Sequence, residues 1–447
     1  MGGKNVIVVG GGLAGLTSAI ELVDHGYHVT VLEAQDIVGG RTSSWIEDGM
    51  AVESGFHRFI GYYKELPAVL AKIGIDVNHI VKWEEQIDIR TPHKEKFAIF
   101  GVAPIYGPIK MIKGLLGNNQ MFSIKDKILL LRFFVDGFKD YLTEPENLDK
   151  LSILEYAEKH GLDDNVIKVV ITPFSSGLFF LPPDRYSAYT FFGLLAPAIP
   201  RFYSMRIGAF LGGMTDIMAQ PMADYIEKKG GKVLTGTPVE ELLVEEGSKV
   251  MGVKTVEEYL YAEHIILATS LVPAQQLLNK HFQQNKDLEI MLKLPSMPAV
   301  TVQIDLDQPA LDYDRTTFGP GTSLASFAEE SRTTFKEVPG RLSIILTPAE
   351  KFIDMASYDI LQTVINDAKS LGVDIEEHIK DYRVISHPAD FYSLEPGHDW
   401  MRPNQKTSIK GLTLAGDYTQ QPYFATMEGA VVSGQKAAQA ILTENNL

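Results

Sequence analysis

The chain has 447 residues, enough for two or three domains with their own cores. A net charge of -16 argues against nucleic acid as a partner and against a broad basic patch for membranes. The sequence contains no cysteine, which excludes disulfides, thiolate metal sites and thiol nucleophiles. Because the first strand is predicted to start by residue 5, we expect no signal peptide and a cytoplasmic protein. No apolar run reaches the roughly 18 residues that a membrane span needs.

The N-terminus predicts a βαβ unit. Asn5–Val9 is an apolar run of strand-forming residues, Leu13–Asp24 has a helical pattern, and His28–Leu32 is a second buried strand. The first turn has the pattern G-x-G-x-x-G, from Gly10 to Gly15, and the second strand ends at Glu33. Strand, glycine turn, helix, strand and acid in this order predict a dinucleotide-binding site.

Each part of this motif has a physical role. Gly10 permits the tight turn, Gly12 lets the backbone approach a pyrophosphate, and Gly15 lets the helix pack closely on the strand. The N-terminus of the helix offers unpaired N–H groups and partial positive charge to phosphate. Glu33 is placed to accept a hydrogen bond from a ribose hydroxyl.

Two further segments extend this site. Gly39-Gly40-Arg41 brings backbone close to a ligand and adds a cation for a phosphate or flavin edge. Near the other terminus, Leu412–Asp417 predicts a strand ending in a carboxylate, and a helix begins at Met427. The N-terminus of that helix is again suited to an electron-rich group. A single cofactor bound by both motifs requires the two ends of the chain to meet.

These motifs, together with Glu53-Ser-Gly-Phe-His57, resemble the FAD-binding half of the amine oxidase and carotenoid desaturase superfamily. The plant and cyanobacterial type of phytoene and zeta-carotene desaturases is the most similar group. The resemblance implies an α/β fold (α+β overall), with a Rossmann-like FAD-binding domain of the glutathione-reductase type and a discontinuous substrate domain of helices and a mixed sheet. The residues it implies at FAD are Gly10, Gly12, Leu13, Ala14, Gly15, Glu33, Ala34, Gly39, Gly40, Arg41, Thr42, Gly55, Phe56, His57, Val239, Ala268, Gly416, Asp417, Met427, Glu428, Gly429 and Ala430. Ser270 stands where many relatives have glycine or proline, so no contact is expected from it.

The domain organisation follows from the same resemblance. Residues 1–80, 205–285 and 396–447 are expected to form the FAD-binding domain, 85–204 a helical substrate domain, and 286–395 the substrate-domain sheet. In the helical part, apolar residues from Ile124 to Leu142 recur at spacings of three and four, which predicts an amphipathic helix. We expect an apolar tunnel here, and the helices are also candidates for peripheral contact with a bilayer. Lys110 and Lys113, in the apolar segment Ile105–Leu116, would then lie at the headgroups.

The resemblance implies an oxidoreductase that desaturates an apolar isoprenoid by hydride transfer to flavin N5 and passes electrons to a quinone or to oxygen. The alternative is an amine or protoporphyrinogen-type oxidase that uses oxygen. Thr426 stands where amine oxidases typically have an aromatic residue, and Thr301 aligns with their lysine; both disfavour the amine reading. His57 is the candidate catalytic residue, with a loop-holding hydrogen bond as its other interpretation. Arg58 is either a charge at the site or a surface ion pair. No metal-ligand spacing is present.

Overall fold

The computed structural model describes residues 5–84, 86–92, 97–101, 123–204, 206–245 and 249–444, with side chains described outside 97–101 and 201–204. The predicted apolar segment Ile105–Leu116, with Lys110 and Lys113, lies outside the described residues.

Strands and helices occur in groups along the described chain. The strands are β1 (Asn5–Val9), β2 (His28–Leu32), β3 (Ser44–Glu47), β4 (Met50–Glu53), β5 (Phe59–Ile60), β6 (Val81–Trp83), β7 (Gln86–Arg90), β8 (Phe97–Gly101), β9 (Ile207–Phe210), β10 (Lys232–Leu234), β11 (Val239–Glu245), β12 (Lys249–Thr255), β13 (Tyr259–Tyr261), β14 (His264–Leu267), β15 (Ser296–Leu306), β16 (Thr317–Phe318), β17 (Leu324–Glu329), β18 (Gly340–Leu346), β19 (Ile379–Tyr392) and β20 (Leu412–Leu414). The α-helices are α1 (Leu13–Asp24), α2 (Glu65–Lys72), α3 (Val77–Ile80), α4 (Ile124–Thr143), α5 (Pro145–Asp149), α6 (Ile153–Lys159), α7 (Asp164–Val166), α8 (Thr172–Phe179), α9 (Ala188–Leu195), α10 (Gln220–Lys228), α11 (Leu271–Phe282), α12 (Glu289–Leu292), α13 (Ser357–Ser370) and α14 (Met427–Glu444). Wider π-helical turns at Ile167–Ile171 and Thr215–Ala219 lead into α8 and α10. A longer 3-10 segment spans Ala196–Ser204, and single 3-10 turns lie at Gly40–Thr42, Ala349–Lys351, Glu376–His378 and Asp399–Met401.

A parallel sheet brings the two ends of the chain together. Its strand order is β10-β2-β1-β14-β20, and every neighbouring pair is parallel. The predicted bounds of β1, α1 and β2 are confirmed. Helices α1 and α14 pack against each other on this sheet, and a Cβ at Gly434 would lie only 2.3 Å from the carbonyl oxygen of Ala14. Glycine at this position therefore lets the backbones of the first and last helices approach closely.

A second, mixed sheet lies apart from the parallel one. Its order is β19-β15-β18-β17-β16-β7-β8, antiparallel except where β16 pairs with β7. The range 85–204 is predicted to form a helical domain, but its first two elements, β7 and β8, are strands of this sheet. Ile87, Asp88 and Ile89 are buried in succession between the neighbouring strands, so this segment is stabilised by sheet pairing although helices follow it in the sequence. The short strand β16 lies between β7 and β17 in this sheet and pairs with both.

The helical part packs around aromatic residues. Helix α4 begins with a capping box, in which Ser123 and Asp126 satisfy each other's backbone N–H groups. One face of α4 buries Leu130 and Phe133 against α9, whereas the apolar residues whose spacing predicts the amphipathic helix, from Ile124 to Leu142, lie on the other side of it. Its opposite face is apolar too, and remains largely exposed in the described structure. Within the described residues, no helix has the length and apolar content needed to cross a bilayer.

Candidate active site

One large cavity joins the glycine-rich turn, the start of the last helix, the mixed sheet and the helical part. Its volume is about 2070 Å³. The residues predicted to contact FAD that line it are Gly10, Gly12, Leu13, Ala14, Glu33, Ala34, Gly39, Gly40, Arg41, Thr42, Gly55, Phe56, His57, Val239, Ala268, Gly416, Asp417, Met427 and Ala430. Gly15, Glu428 and Gly429 belong to the same segments but do not line it.

The three motif glycines differ in their surroundings. Gly10 has φ +111°, and a Cβ there would lie 2.7 Å from the carbonyl oxygen of Ala268. A Cβ at Gly15 would lie 1.9 Å from the carbonyl oxygen of Gly10, so this glycine serves helix–strand packing, its predicted role. A Cβ at Gly12 would lie 3.9 Å from its nearest neighbour, the carbonyl oxygen of Gly39, and Gly12 lines the cavity. Gly12 is therefore the position where a bound group can meet the helix N-terminus.

Glu33 fixes the rim of this turn. One of its carboxylate oxygens accepts a hydrogen bond from the Gly11 amide at 2.6 Å, and the other from the Gln35 amide at 2.9 Å. The carboxylate thus ties the first turn to the end of β2. Each oxygen keeps a second lone pair, so the side chain can also accept from a sugar hydroxyl.

Arg41 and Asp417 connect the N-terminal and C-terminal motifs. The guanidinium Nη2 of Arg41 lies 2.6 Å from Oδ1 of Asp417. Burial lowers the pKa of Arg41, but the charges of Asp417 and Asp390 outweigh burial and raise it above its ordinary value. Oδ2 of Asp417 is buried and has no hydrogen-bond partner in the described part of the chain. This unpaired acceptor beside the cavity suits a cofactor that carries hydroxyl groups.

The start of α14 faces the cavity through Met427 and Ala430. The Thr426 hydroxyl accepts from the Gly429 amide at 3.1 Å, so Thr426 acts as the helix cap. Glu428, one of the residues that the resemblance places at FAD, does not line the cavity. Its carboxylate turns away and accepts from the amides of Lys64, Glu65 and Leu66 at 2.7, 2.8 and 2.9 Å, which caps α2 instead.

The segment from Glu53 to His57 is held by side chains of two neighbouring strands of the mixed sheet, β15 and β19. The Gln303 side chain bonds the Glu53 amide at 3.1 Å and the Glu53 carbonyl at 2.6 Å. Nε2 of His387 lies 2.9 Å from the Ser54 carbonyl. Nδ1 of His57 lies 3.1 Å from the Gly55 carbonyl, so it carries the proton and leaves Nε2 as the free basic nitrogen. Burial lowers the pKa of His57 to about 4, and the charges of Arg41 and His387 act in the same direction.

Arg58 lines the cavity, but it is neither an unpaired charge nor part of a surface ion pair. Its side chain is buried and bonded to Glu84 at 2.9 Å, Asp314 at 2.7 Å and Glu330 at 2.6 Å. This network fixes the wall behind Phe56, whose ring the guanidinium covers at 4.6 Å. Arg58 therefore has a structural role.

Several cavity residues carry no motif in the sequence. His387 and Asp390 come from β19, where the pairing with β15 shifts register between Met297 and Ala299. The shift turns polar side chains of β19 toward the cavity. The one sequence signal for a break in strand pairing here is Pro388, which cannot donate a backbone hydrogen bond. Ser270 also lines the cavity, beside Ala268. Among the described residues, no group of three or more His, Asp or Glu side chains is arranged to hold a metal ion.

Comparison with known proteins identifies the class. The sequence model of the family described as flavin containing amine oxidoreductase matches residues 13–442. The 15-cis-phytoene desaturase of Arabidopsis thaliana is 30% identical over 468 residues, covering 99% of this chain and 80% of the relative. That of Synechococcus elongatus is 29% identical, covering 99% and 96%. A probable zeta-carotene desaturase of the same organism is 27% identical, covering 98% of each chain.

Solved structures share the fold. An oxidoreductase from Methanosarcina mazei has a TM-score of 0.77 at 19% identity, covering 97% of this chain and all of the other. A double mutant of putrescine oxidase has a TM-score of 0.75 at 17% identity, covering 98% and 99%. The chain belongs to the flavin-containing amine oxidoreductase family, within the superfamily of amine oxidases and carotenoid desaturases. It is an FAD-dependent oxidoreductase with a mixed α/β fold.

Proposed function

We propose that the protein dehydrogenates a long, apolar isoprenoid of the carotenoid kind. The observation that carries the proposal is the cavity of about 2070 Å³, because typical small-molecule sites measure roughly 300–1,000 Å³. Such a volume suits a dinucleotide and a long hydrocarbon together. The part of the wall supplied by the helices is apolar and comprises Leu130, Leu131, Phe134, Phe138, Val169, Val170, Phe174, Leu178, Phe191, Leu194 and Leu195. The desaturase names of the relatives support the same substrate class.

The residues described above would hold FAD between the two chain ends. Gly12 and the start of α1 would receive the pyrophosphate, and Glu33 a ribose hydroxyl. Asp417 would use its unpaired Oδ2 on hydroxyls of the ribityl chain. The N-terminus of α14 would place partial positive charge at the flavin ring. FAD, when bound, supplies the acceptor for the hydride.

The proton that leaves beside the hydride needs an acceptor in the wall. His57 would offer Nε2, because its Nδ1 proton is engaged by the Gly55 carbonyl. A pKa of about 4 makes His57 a weak base. A weak base is sufficient here, since a substrate carbon that has lost a hydride makes its neighbouring C–H strongly acidic. The apolar wall would exclude water from that electron-poor carbon.

We also propose the finer features of the architecture. The parallel order β10-β2-β1-β14-β20, with the separate β11-β12-β13 sheet, supports a FAD-binding domain of the glutathione-reductase type. Strands from 1–80, 205–285 and 396–447 all enter that parallel sheet, which supports assigning these ranges to one domain. A quinone or oxygen would then take the electrons from the flavin.

Peripheral contact with a bilayer is part of this proposal. Helix α4 exposes an apolar stripe in which Ile124 is 76% exposed and Leu131 67% exposed, and Ile128, Val135 and Leu142 continue it. Leu131 also lines the cavity, so the stripe adjoins a route inward. An apolar helix face at a cavity suits uptake of a substrate dissolved in lipid. Flotation with liposomes tests this, and pure protein that stays in the dense fraction contradicts it.

The enzyme assay uses FAD-loaded protein without oxygen, with phytoene or zeta-carotene in detergent micelles. We expect the flavin to bleach and the product to gain a double bond, because hydride and proton leave adjacent carbons. Simple amines are tested separately as substrates for the alternative function. Bleaching by amines, with peroxide formed in air, would select the oxidase alternative instead.

A matched pair of variants links this activity to the cavity. Leu131→Glu puts a charge on the cavity wall, whereas Ile124→Glu puts the same charge on the same helix away from that wall. In micelles, we expect Leu131→Glu to lower kcat/KM by about tenfold, because an apolar substrate that packs against the new charge must remove its water, at a cost of more than about 1.4 kcal/mol. Ile124→Glu should leave it unchanged. Equal activity of the two variants would separate the reaction from this cavity.

A further inference from the structure

The loop between β20 and α14 is wrapped around a buried arginine. The side chain of Arg402 is 1% exposed, and its Nη1 donates to Oδ1 of Asp399 at 2.8 Å. Nη2 faces three backbone carbonyls of the loop, those of Asp417 at 3.3 Å, Thr419 at 2.6 Å and Gln421 at 3.1 Å. The backbone therefore curls around a single planar cation immediately after the residue that pairs with Arg41.

The same loop contains a strained residue. Phe424 is buried and has φ +50°, a conformation that costs an ordinary residue roughly 1–3 kcal/mol. The Gln421 side chain holds it, donating to the carbonyls of Asp417 at 2.9 Å and Phe424 at 2.8 Å. The Phe424 ring lies 5.3 Å from the Arg402 guanidinium. Strain of this kind persists only where its surroundings over-determine the conformation.

The strained residue also contacts the helical part. The Phe424 ring packs on Tyr189 of α9 at 5.8 Å. A Cβ at Gly193 would come within 2.4 Å of that ring, so glycine makes the approach possible. Helix α9 contributes Phe191, Leu194 and Leu195 to the cavity wall. The loop thus touches the apolar wall on one side and carries Asp417 and the start of α14 on the other.

We propose that Arg402 is the positioning residue of the flavin site, holding Asp417 and the N-terminus of α14 in the geometry that binds FAD and stabilises its reduced form. Arg402 itself does not line the cavity, so it acts through the loop. Lysine cannot replace it, because a single ammonium lacks the planar fork that reaches one carboxylate and several carbonyls together. The inference rests on the proposed placement of FAD, and it is independent of which substrate is oxidised.

The test compares Arg402→Lys with Gln421→Glu, which disturbs the same loop from its other side. Gln421→Glu replaces the donor to two carbonyls with an acceptor, and it leaves the buried cation in place. For each purified protein, FAD affinity, the two-electron potential of the bound flavin and the melting temperature without FAD are measured. No substrate is needed for any of these measurements.

We expect both variants to bind FAD about tenfold more weakly, because Asp417 and α14 lose their fixed positions. Reduced flavin should lose about tenfold more affinity than oxidised flavin, which lowers the two-electron potential by about 30 mV. The control is Arg383→Lys. Arg383 bonds the Asp381 carboxylate and backbone carbonyls of Tyr382 and Glu47, and it lies outside the cavity wall. This control should lose thermal stability and keep the affinity and potential of the wild type.

Two results would overturn the proposal. One is Arg402→Lys losing stability like Arg383→Lys while FAD affinity and potential stay unchanged, which would make Arg402 an ordinary structural residue. The other is Gln421→Glu binding FAD normally at an unchanged potential, since the loop position would then not matter. A wild-type enzyme that fails on isoprenoids but shows these shifts would refute only the proposed substrate.

Discussion

Replacing Glu428 by glutamine tests its role as the cap of helix α2. In the structure, one carboxylate oxygen accepts from the amides of Lys64 and Glu65, and the other accepts from the amide of Leu66. The amide of glutamine keeps one acceptor oxygen and presents an NH₂ group to the remaining donor. One buried N–H group at the start of α2 therefore loses its partner.

The magnitude follows from those three bonds. Losing one hydrogen bond to a charged group costs about 1.5–3 kcal/mol, and removing negative charge from a helix N-terminus adds about 0.3–1 kcal/mol. Burial raises the pKa of Glu428, so neutralising it recovers part of this cost. We expect a net loss of about 2 kcal/mol in the free energy of unfolding, or a melting temperature lower by about 2 °C for a chain of this length.

The assay is thermal unfolding of the FAD-free protein, followed by FAD titration. Glu444→Gln is the matched control, because Glu444 lies on the same helix in an exposed pair with Lys406 at 3.0 Å. That pair should contribute about 0–1 kcal/mol. Glu428→Gln should keep FAD affinity close to that of the wild type. Unchanged stability together with lost FAD affinity would refute the capping role and restore the cofactor contact that the sequence predicts.

Two other predictions concern the cavity wall. Gly12→Ala should lower the free energy of unfolding of the FAD-free protein by only about 1 kcal/mol, because its Cβ would lie 3.9 Å from the nearest atom, yet FAD titration should show strongly weakened binding. Gly15→Ala puts its Cβ 1.9 Å from a carbonyl oxygen, so this variant should lose stability in thermal unfolding even without FAD. The pKa of His57, about 4 in the folded protein, lies below its ordinary value of 6.5, so the unfolded chain binds more protons between these values and stability falls as pH drops from 6.5 to 4. His57→Asn should flatten this loss, which amounts to at most about 3 kcal/mol, in denaturant unfolding at stepped pH; a parallel pH dependence in both proteins would contradict it. Flavin spectrum and turnover unchanged in His57→Ala would rule out a catalytic role for His57.

Local patterns were enough to predict the cofactor and the first three elements of the fold. The bounds of β1, α1 and β2 follow from a continuous apolar run, a helical repeat and the glycine turn, all of which act over short distances. The family resemblance and FAD rest on those motifs. Nineteen of the predicted contacts line the cavity, since a motif fixes the backbone path beside a ligand.

Only the tertiary structure decided which way individual side chains point and which distant segments meet. Glu428 lies in a recognised motif, yet its direction depends on α2, more than 360 residues earlier in the sequence. His387 and Asp390 reach the cavity through a register shift between β15 and β19, and the side chain of Arg402 is buried because a loop folds around it. Such contacts arise from long-range packing and from the need to pair buried polar groups, and neither leaves a periodic signal in the chain.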